Sequence, residues 1–403
     1  MTIPFVDVLI IGGGPGGLSL AQGLKKRGIG VRVVERDLER RDYVQGFRLR
    51  VRERGIQALR SNLPSALFTA LEETAGRAPA DSIALDEHLR PVPSRPRDYG
   101  EKEDAHIDRS VSRITLTRIL RSGLEDILQS GIAFTHYETG ENGHVLAHFA
   151  DGSAIRTRLL VGADGARSRV RQQLVPDAKS IDTGARRLAG KIPLHRAQHL
   201  GLLPLFWEKN VNIRPHDGAS MMITSHVVDT ASRRRHGLTD PPAAESGLHL
   251  DDTTSYIWWN TAYTRDSLAP DSRLETLDGQ QLLDLLLSRI ATWDQRLLEL
   301  IRATEPTTVG LLKVFSSEPG LSWPAGPVTL LGDAAHAMTY FRALGCNSAL
   351  YDSGLLAAEL ARVKEGTPLR QAIGEYEGAM RTHGEHAVRS SLDALRHSLG
   401  LAA

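Results

Sequence analysis

The residues whose types and spacing could do chemistry begin at position 12. Gly12-x-Gly14-x-x-Gly17 follows the β-branched run Val6-Asp7-Val8-Leu9-Ile10-Ile11 and precedes apolar residues at helical spacing, Leu18, Ala21 and Leu24. A strand that runs through a glycine turn into a helix presents backbone N–H groups and the positive end of that helix to an anion. The first glycine permits the tight turn, Gly14 the close approach of a pyrophosphate, and Gly17 close packing of helix on strand. Glu35 ends the next strand-like run, Val31-Arg32-Val33-Val34. A carboxylate there accepts ribose hydroxyls and repels a 2′-phosphate, which suits the adenosine of FAD or NAD and not NADP. The motif alone does not say which dinucleotide.

Two further motifs each follow a buried run. Asp164-Gly165-Ala166-Arg167-Ser168-Arg169-Val170-Arg171 comes after Leu159-Leu160-Val161-Gly162, and Gly332-Asp333-Ala334-Ala335-His336 after Val328-Thr329-Leu330-Leu331. With these three motifs in this order, essentially the whole chain resembles the single-component FAD-dependent aromatic hydroxylases, the para-hydroxybenzoate hydroxylase-like flavoprotein monooxygenases.

The resemblance implies that Asp333 holds the ribityl hydroxyls of the flavin and that Arg113 and Arg48 contact the cofactor phosphates or the flavin edge. Guanidinium geometry suits phosphate. Arg48, Arg50 and Arg52 alternate, however, so one solvated face of a strand is the other reading. The resemblance places Asp164 by the cofactor and the nicotinamide path; as a turn residue before glycine it also suits capping of backbone amides. His336, among small residues, reads as packed and hydrogen-bonded. Gly345 and Asn347 keep their family places, and a helix starting near Asn347 would aim its amides at the flavin pyrimidine. The family carries a proline and paired glycines between His336 and Asn347, whereas this chain has Tyr340-Phe341-Arg342-Ala343. That departure makes Tyr340 and Arg342 candidate catalytic residues at the flavin face. Cys346 reads as a small buried side chain, with no histidine base beside it in sequence.

These residues need elements to position them. The N-terminal segment reads as a βαβ unit, with Lys25, Lys26 and Arg27 in the last helical turn and Gly28 as the stop. Leu116, Leu120, Leu124 and Leu128 predict a helix over Ser112 to Leu128, and Asp151-Gly152 predicts a hairpin joining Val145 to Phe149 with Ala154 to Arg158. Helices are expected over Leu282 to Ala303, Asn347 to Lys364 and Pro368 to Leu399, and a strand over Val328 to Leu331. From about Arg187 to Tyr263 the pattern alternates, with strands over Ser220 to Val228 and Ser255 to Tyr263 around a polar loop, Ser232 to Asp252. The expected fold is α/β: a Rossmann-like FAD-binding domain (1–180 and 265–403), an inserted mixed β-sheet substrate domain (181–264) and C-terminal helices. Phe206, Met222, Trp258 and Trp259 lie on that sheet; half of them read as core, and Phe206, Met222 and Trp258 are the candidate substrate contacts.

Composition excludes several alternatives. At 403 residues, 41% hydrophobic and 24% charged, the chain has globular usage and length for one large or two fused domains. Lys plus Arg number 49 against 48 Asp plus Glu, so no excess of cations is available to hold nucleic acid. One cysteine rules out an intramolecular disulfide or a cysteine-built zinc site, and no metal is expected. The longest early apolar stretch is far below the roughly 20 residues of a membrane span, and no basic leader precedes it, so a cytoplasmic protein is expected. The resemblance implies a monooxygenase in which NAD(P)H reduces FAD, O₂ forms a C4a-hydroperoxyflavin, and oxygen passes to an aromatic or polycyclic small molecule by hydroxylation or epoxidation. NAD(P)H would visit transiently, since no second glycine fingerprint is present. An FAD oxidoreductase without oxygen transfer and a flavin-fold protein without turnover are the alternatives. No oligomeric state follows from the sequence.

Overall fold

The computed structural model describes residues 3–37, 48–77, 81–93, 108–140, 142–201, 205–206, 209–216, 220–227, 230–236 and 255–400. Within them the strands are Phe5–Ile11 (β1), Val31–Glu35 (β2), Arg48–Val51 (β3), Gly76–Arg77 (β4), Asp81–Leu85 (β5), Arg109–Ser112 (β6), Leu128–Ser130 (β7), Phe134–Thr139 (β8), Val145–Phe149 (β9), Ala154–Gly162 (β10), Ser180–Pro193 (β11), Lys209–Ile213 (β12), Ser220–His226 (β13), Tyr256–Thr264 (β14), Gly310–Ser317 (β15) and Val328–Leu330 (β16). The helices that matter for the site are Pro15–Lys26 (α1), Glu53–Asn62 (α2), Arg113–Arg121 (α3), Gly345–Lys364 (α4) and Leu369–Ser398 (α5).

The first sheet has the order β7-β2-β1-β10-β9-β8, with β16 paired to the distal half of β10. Strands β7, β2, β1, β10 and β16 run parallel, which demands burial of both faces. Val8 to Ile11 and Leu159 to Val161 meet that demand as near-continuous apolar runs. Pro15 at the first turn, Lys25 and Lys26 in the last and Gly28 at φ +65° delimit α1, which packs against α4. Gly12, Glu35, Ala163 and Leu331 therefore emerge together at the carboxyl ends of parallel strands.

The second sheet has the order β15-β11-β14-β13-β12-β5. Its strand alternation sorts side chains by face. Leu188, Ile192, Val211, Ile213, Met221, Ile223, Ile257 and Trp259 pack with Leu282, Leu286, Leu297 and Ile301 of the covering helices Gly279–Arg289 and Gln295–Arg302. Tyr256, Trp258 and Met222 form a separate cluster on the opposite face. A third sheet, β3-β6-β4, completes the architecture. The fold class is thus the expected Rossmann-like α/β sheet with an additional mixed sheet.

The boundaries differ from expectation in ways with physical causes. The expected 181–264 insertion supplies most of the second sheet, but β5 and β15 join its edges from outside that range. The helix expected over Ser112 to Leu128 stops at Arg121: Gly123 adopts φ +76°, and the Gln22 side chain donates to the carbonyls of Leu120 and Ser122 at 2.9 and 2.8 Å. Leu128 then starts β7. The helix expected over Leu282 to Ala303 is two, because Asp294 caps a second start by accepting the Arg296 N–H at 2.9 Å. Phe206 is fully buried in the core face of the second sheet, beside Trp259 and opposite Met222 and Trp258, so its expected substrate contact is corrected to packing. Val228 and residues 237–252 of the expected polar loop lie outside the described residues. Among the described residues no helix is long and apolar enough to cross a membrane.

Trp259 is fully buried, and its indole N–H donates to Thr304 Oγ1 at 2.9 Å. Trp259→Ala is expected to destabilise the protein by about 3–5 kcal/mol in chemical denaturation; a loss below about 1 kcal/mol would mean that this face is not a packed core.

Candidate active site

The carboxyl ends of β1, β2, β10 and β16 enclose a cleft of about 270 Å³. Its walls carry Gly12, Gly14, Gly17, Glu35, Arg113, Asp164, Asp333 and Gly345, bringing most of the expected cofactor-binding positions to one place. Two glycines have no room for a side chain. A Cβ on Gly12, at φ +115°, would lie 2.2 Å from the Ala163 carbonyl oxygen, and one on Gly17 2.2 Å from that of Gly12. Gly14 has an ordinary φ of −76° and is the helix N-cap without a side-chain hydrogen bond, so nothing in its backbone demands glycine there.

Glu35 closes the loop over β2, with Oε2 accepting the Gly13 N–H at 2.5 Å and Oε1 that of Asp37 at 2.9 Å. Each carboxylate oxygen has a further lone pair for a hydroxyl donor. Asp164 Oδ2 accepts the N–H groups of Arg169 and Val170 at 2.8 and 3.4 Å, which is the amide-capping role. Its Oδ1 is buried without a hydrogen-bond partner among the described residues, and burial pushes its carboxyl up. A buried orphan oxygen bordering a cleft is positioned for a donor from a ligand.

Arg171 ties the second motif to the third. Buried to 5% exposure, it donates to the carbonyls of Ala166 at 2.6 Å, Ala334 at 3.0 Å and Asp333 at 3.4 Å. Asp352, on α4, fixes the same turn by accepting the Gly332 N–H at 2.8 Å and pairing with His336 at 2.8 Å. Burial pushes the Asp352 carboxyl up, but His336 and His383 more than reverse this and hold it well below the ordinary range. His336 is thereby a packed, hydrogen-bonded residue, as its surroundings in sequence suggested. Cys346 borders the cleft, and burial pushes its thiol up to about 11, far from a nucleophile's range.

Four of the expected cofactor-binding and catalytic residues do not border the cleft. Arg48 turns to the second sheet, donating to Ser110 Oγ at 2.5 Å and Thr224 Oγ1 at 3.2 Å, and does not border the cleft. Asn347 is a backbone clamp: it accepts the Arg52 N–H at 2.7 Å and donates to the carbonyls of Arg50 at 2.8 Å and Ala343 at 2.9 Å. Arg342 reaches Ser390 on α5 at 2.5 Å. Tyr340 stacks on Phe341, lies against Arg187, and has a buried hydroxyl whose pKa burial pushes up, which removes it as a base near neutral pH. Arg342 and Ala343, within the segment that departs from the family's proline and paired glycines, adopt φ of +69° and +53°, a left-handed backbone at two residues that do not favour it.

Apart from Trp258 and Met222, sequence reasoning missed what the inner face of the second sheet assembles. Arg187, Lys191, Tyr256, Trp258, Asn260 and His226 are buried there, with His226 Nδ1 3.0 Å from Ser110 Oγ. The available signal was the alternation of Arg187, Ala189 and Lys191 with Leu188, Gly190 and Ile192, which also suits a solvated face.

A family model described as an FAD binding domain matches residues 5–60 and 321–391, the two segments carrying the first and third motifs. The structure aligns at TM-score 0.82 and 30% identity, over 97% of this chain and 99% of the other, with an FAD-containing protein of Photorhabdus luminescens assigned to the monooxygenases. The chain belongs to the para-hydroxybenzoate hydroxylase-like FAD-dependent monooxygenases. Within that family it is 31% identical to the dual O-methyltransferase/FAD-dependent monooxygenase elcB of Phaeosphaeria nodorum, over 95% of this chain and 42% of elcB. It is 30% identical to the dual enzyme CTB3 of Cercospora beticola, over 96% of this chain and 46% of CTB3. The chain thus spans less than half the length of these two curated relatives.

The family cofactor fits the residues present: a glycine cradle that a Cβ would fill, a carboxylate ending β2, and an orphaned buried oxygen all border one cleft. Asp333 is exposed at its rim, whereas Asn347 is 7% exposed. Asp333→Ala is therefore expected to weaken FAD about tenfold or more, one charged hydrogen bond being about 1.5–3 kcal/mol, with unchanged melting of the FAD-free protein. Asn347→Ala is expected to lower that melting temperature, since it orphans an N–H and two carbonyls. The reverse pattern in a thermal melt and an FAD titration would exchange their roles.

Proposed function

We propose that this chain binds FAD and uses NAD(P)H and O₂ to hydroxylate or epoxidise an aromatic or polycyclic small molecule. The observation that carries this reading is the meeting of three separated segments at one cleft, beside a buried sheet face of aromatic and cationic side chains. Bound FAD would supply reduction by the nicotinamide and activation of dioxygen toward an electron-rich carbon.

The chain's own residues bind, orient and exclude water. With FAD bound, the first amides of α1 would hold the pyrophosphate, Glu35 would accept hydrogen bonds from adenosine ribose hydroxyls, and Asp333 from ribityl hydroxyls. Arg113 adds a cation at the cleft wall. Helix α4 has Leu344 as its N-cap and no side-chain cap, so its first N–H groups would favour negative charge on a flavin bound in front of them. Asp164, held up in pKa by burial, borders the path proposed for the nicotinamide. Met222 and Trp258 offer the substrate an apolar wall, and Tyr340 a hydroxyl donor from the opposite element.

Purified protein is expected to be yellow, to release FAD on denaturation, and to consume NAD(P)H with one atom of ¹⁸O₂ appearing in the product by mass spectrometry. Product oxygen drawn from H₂¹⁸O would contradict oxygen transfer, and NAD(P)H oxidation with no oxygenated product would favour the oxidoreductase alternative.

A further inference from the structure

Strands β8 and β9 bring two histidines and a glutamate together at the edge of the first sheet, and none of the three borders the cleft. His136 and His148 are direct partners across the two strands, and their rings stack with centroids 4.5 Å apart. Glu138, two residues along β8 and so on the same face as His136, puts Oε1 3.4 Å from His148 Nε2 and 4.0 Å from His136 Nε2. One ligand atom from each side chain lies within 4.8 Å of the other two. The register shifts between Phe134 and His136, which leaves Thr135 as the extra residue of a bulge, a device that re-aims side chains.

The local hydrogen bonds leave lone pairs where an ion needs them. Thr135 Oγ1 donates its one hydrogen to the His148 carbonyl at 2.9 Å. It therefore meets His136 Nδ1, 3.1 Å away, as an acceptor, and in the neutral ring this puts the proton on Nδ1 and the lone pair on Nε2. A bond on the other ring nitrogen is how a ligating histidine is held. His148 Nε2 is buried and has no hydrogen-bond partner among the described residues. Two imidazoles and a carboxylate suit Zn²⁺ and its neighbours, whereas Mg²⁺ and Ca²⁺ take oxygen ligands. Ligands 2.0–2.1 Å from a tetrahedral ion stand about 3.3–3.4 Å apart, and Glu138 Oε1 and His148 Nε2 already have that separation. The remaining change is a turn of the rings out of their stack about the soft Cβ–Cγ torsion, which tilts both nitrogens towards one point. The side chains of His136 and Glu138 are 55% and 64% exposed, so water completes the coordination.

We propose that His136, Glu138 and His148 bind one divalent transition-metal ion of the zinc type, which clamps the edge strand β8 to β9. The site stands apart from the proposed flavin chemistry and departs from the expectation that the chain takes no metal. An ion that binds only the folded chain stabilises it, and here it would do so at a strand with a partner on one side alone.

The test titrates chelator-treated protein, carrying no polyhistidine tag, with ZnCl₂ and with MgCl₂ by calorimetry, and reads the metal content after dialysis by elemental mass spectrometry. One Zn²⁺ per chain is expected, with a higher melting temperature when zinc is present and no heat from Mg²⁺. His136→Ala and His148→Ala should each weaken zinc at least about a hundredfold, and Thr135→Val, which removes only the hydrogen bond behind His136, about tenfold. If a histidine variant fails to fold, Glu138→Gln at the exposed carboxylate decides, with an expected loss of at least about tenfold. No zinc bound by wild type, Mg²⁺ bound as well as Zn²⁺, or zinc affinity unchanged in these variants would overturn the proposal. So would zinc binding that is lost in His383→Ala instead, which would place the ion at the buried group of His336, Asp352 and His383.

Discussion

Backbone meets backbone where β1 and β10 end, and no side chain fits between them. With a Cβ at Gly12 only 2.2 Å from the Ala163 carbonyl oxygen and one at Gly17 equally close to that of Gly12, the two strand ends and α1 can approach only through glycine. That approach draws Glu35, Asp164 and Asp333 around one volume. The rest of the molecule holds it in place. Arg171 bolts the second motif to the third, Asp352 fixes the turn before Asp333, and Asn347 joins α4 to the segment from Arg50 to Arg52. Several buried polar groups near the cleft thus serve backbone positions, leaving the glycine amides and the rim carboxylates for a ligand.

The second sheet works by having two unlike faces. One is an apolar core closed by the helices Gly279–Arg289 and Gln295–Arg302, and contributes stability. The other buries Arg187, Lys191, His226 and Asn260, groups that are expensive to remove from water and are kept next to aromatic rings. The strained turn at Arg342 and Ala343 delivers Tyr340 to this face, held by the Arg52 guanidinium on the Arg342 carbonyl at 3.3 Å and by Asn347 on that of Ala343. The loop therefore presents Tyr340 to the sheet from a backbone conformation that glycine would adopt at lower cost.

Much of this was legible in the sequence, because local rules govern the pieces that were read. The β1–α1–β2 unit, the hairpin of β9 and β10, and α4 and α5 follow from periodicity, caps and turn residues that act within a few positions. The elements misread depend on distant partners. Gln22 reaches across from α1 to end α3, and β5 and β15 complete a sheet whose other strands lie far along the chain. Arg48 shows the same limit for the site: its alternation with Arg50 is visible in the sequence, but its neighbour Thr224 is not. Arg187 and Lys191 drew no reading of their own, because nothing local reveals that they are buried.

The central claim is that the cleft grips the whole dinucleotide, with the glycine loop and Glu35 acting on the pyrophosphate and adenosine half and Asp333 on the flavin half. Equilibrium titration of the flavin-free protein with FAD, FMN and riboflavin, read by flavin fluorescence, tests it most directly. The account predicts that FAD binds at least about a hundredfold more tightly than FMN, since the α1 amides and Glu35 have no partners when the adenosine is missing. FMN binding as tight as FAD would contradict it.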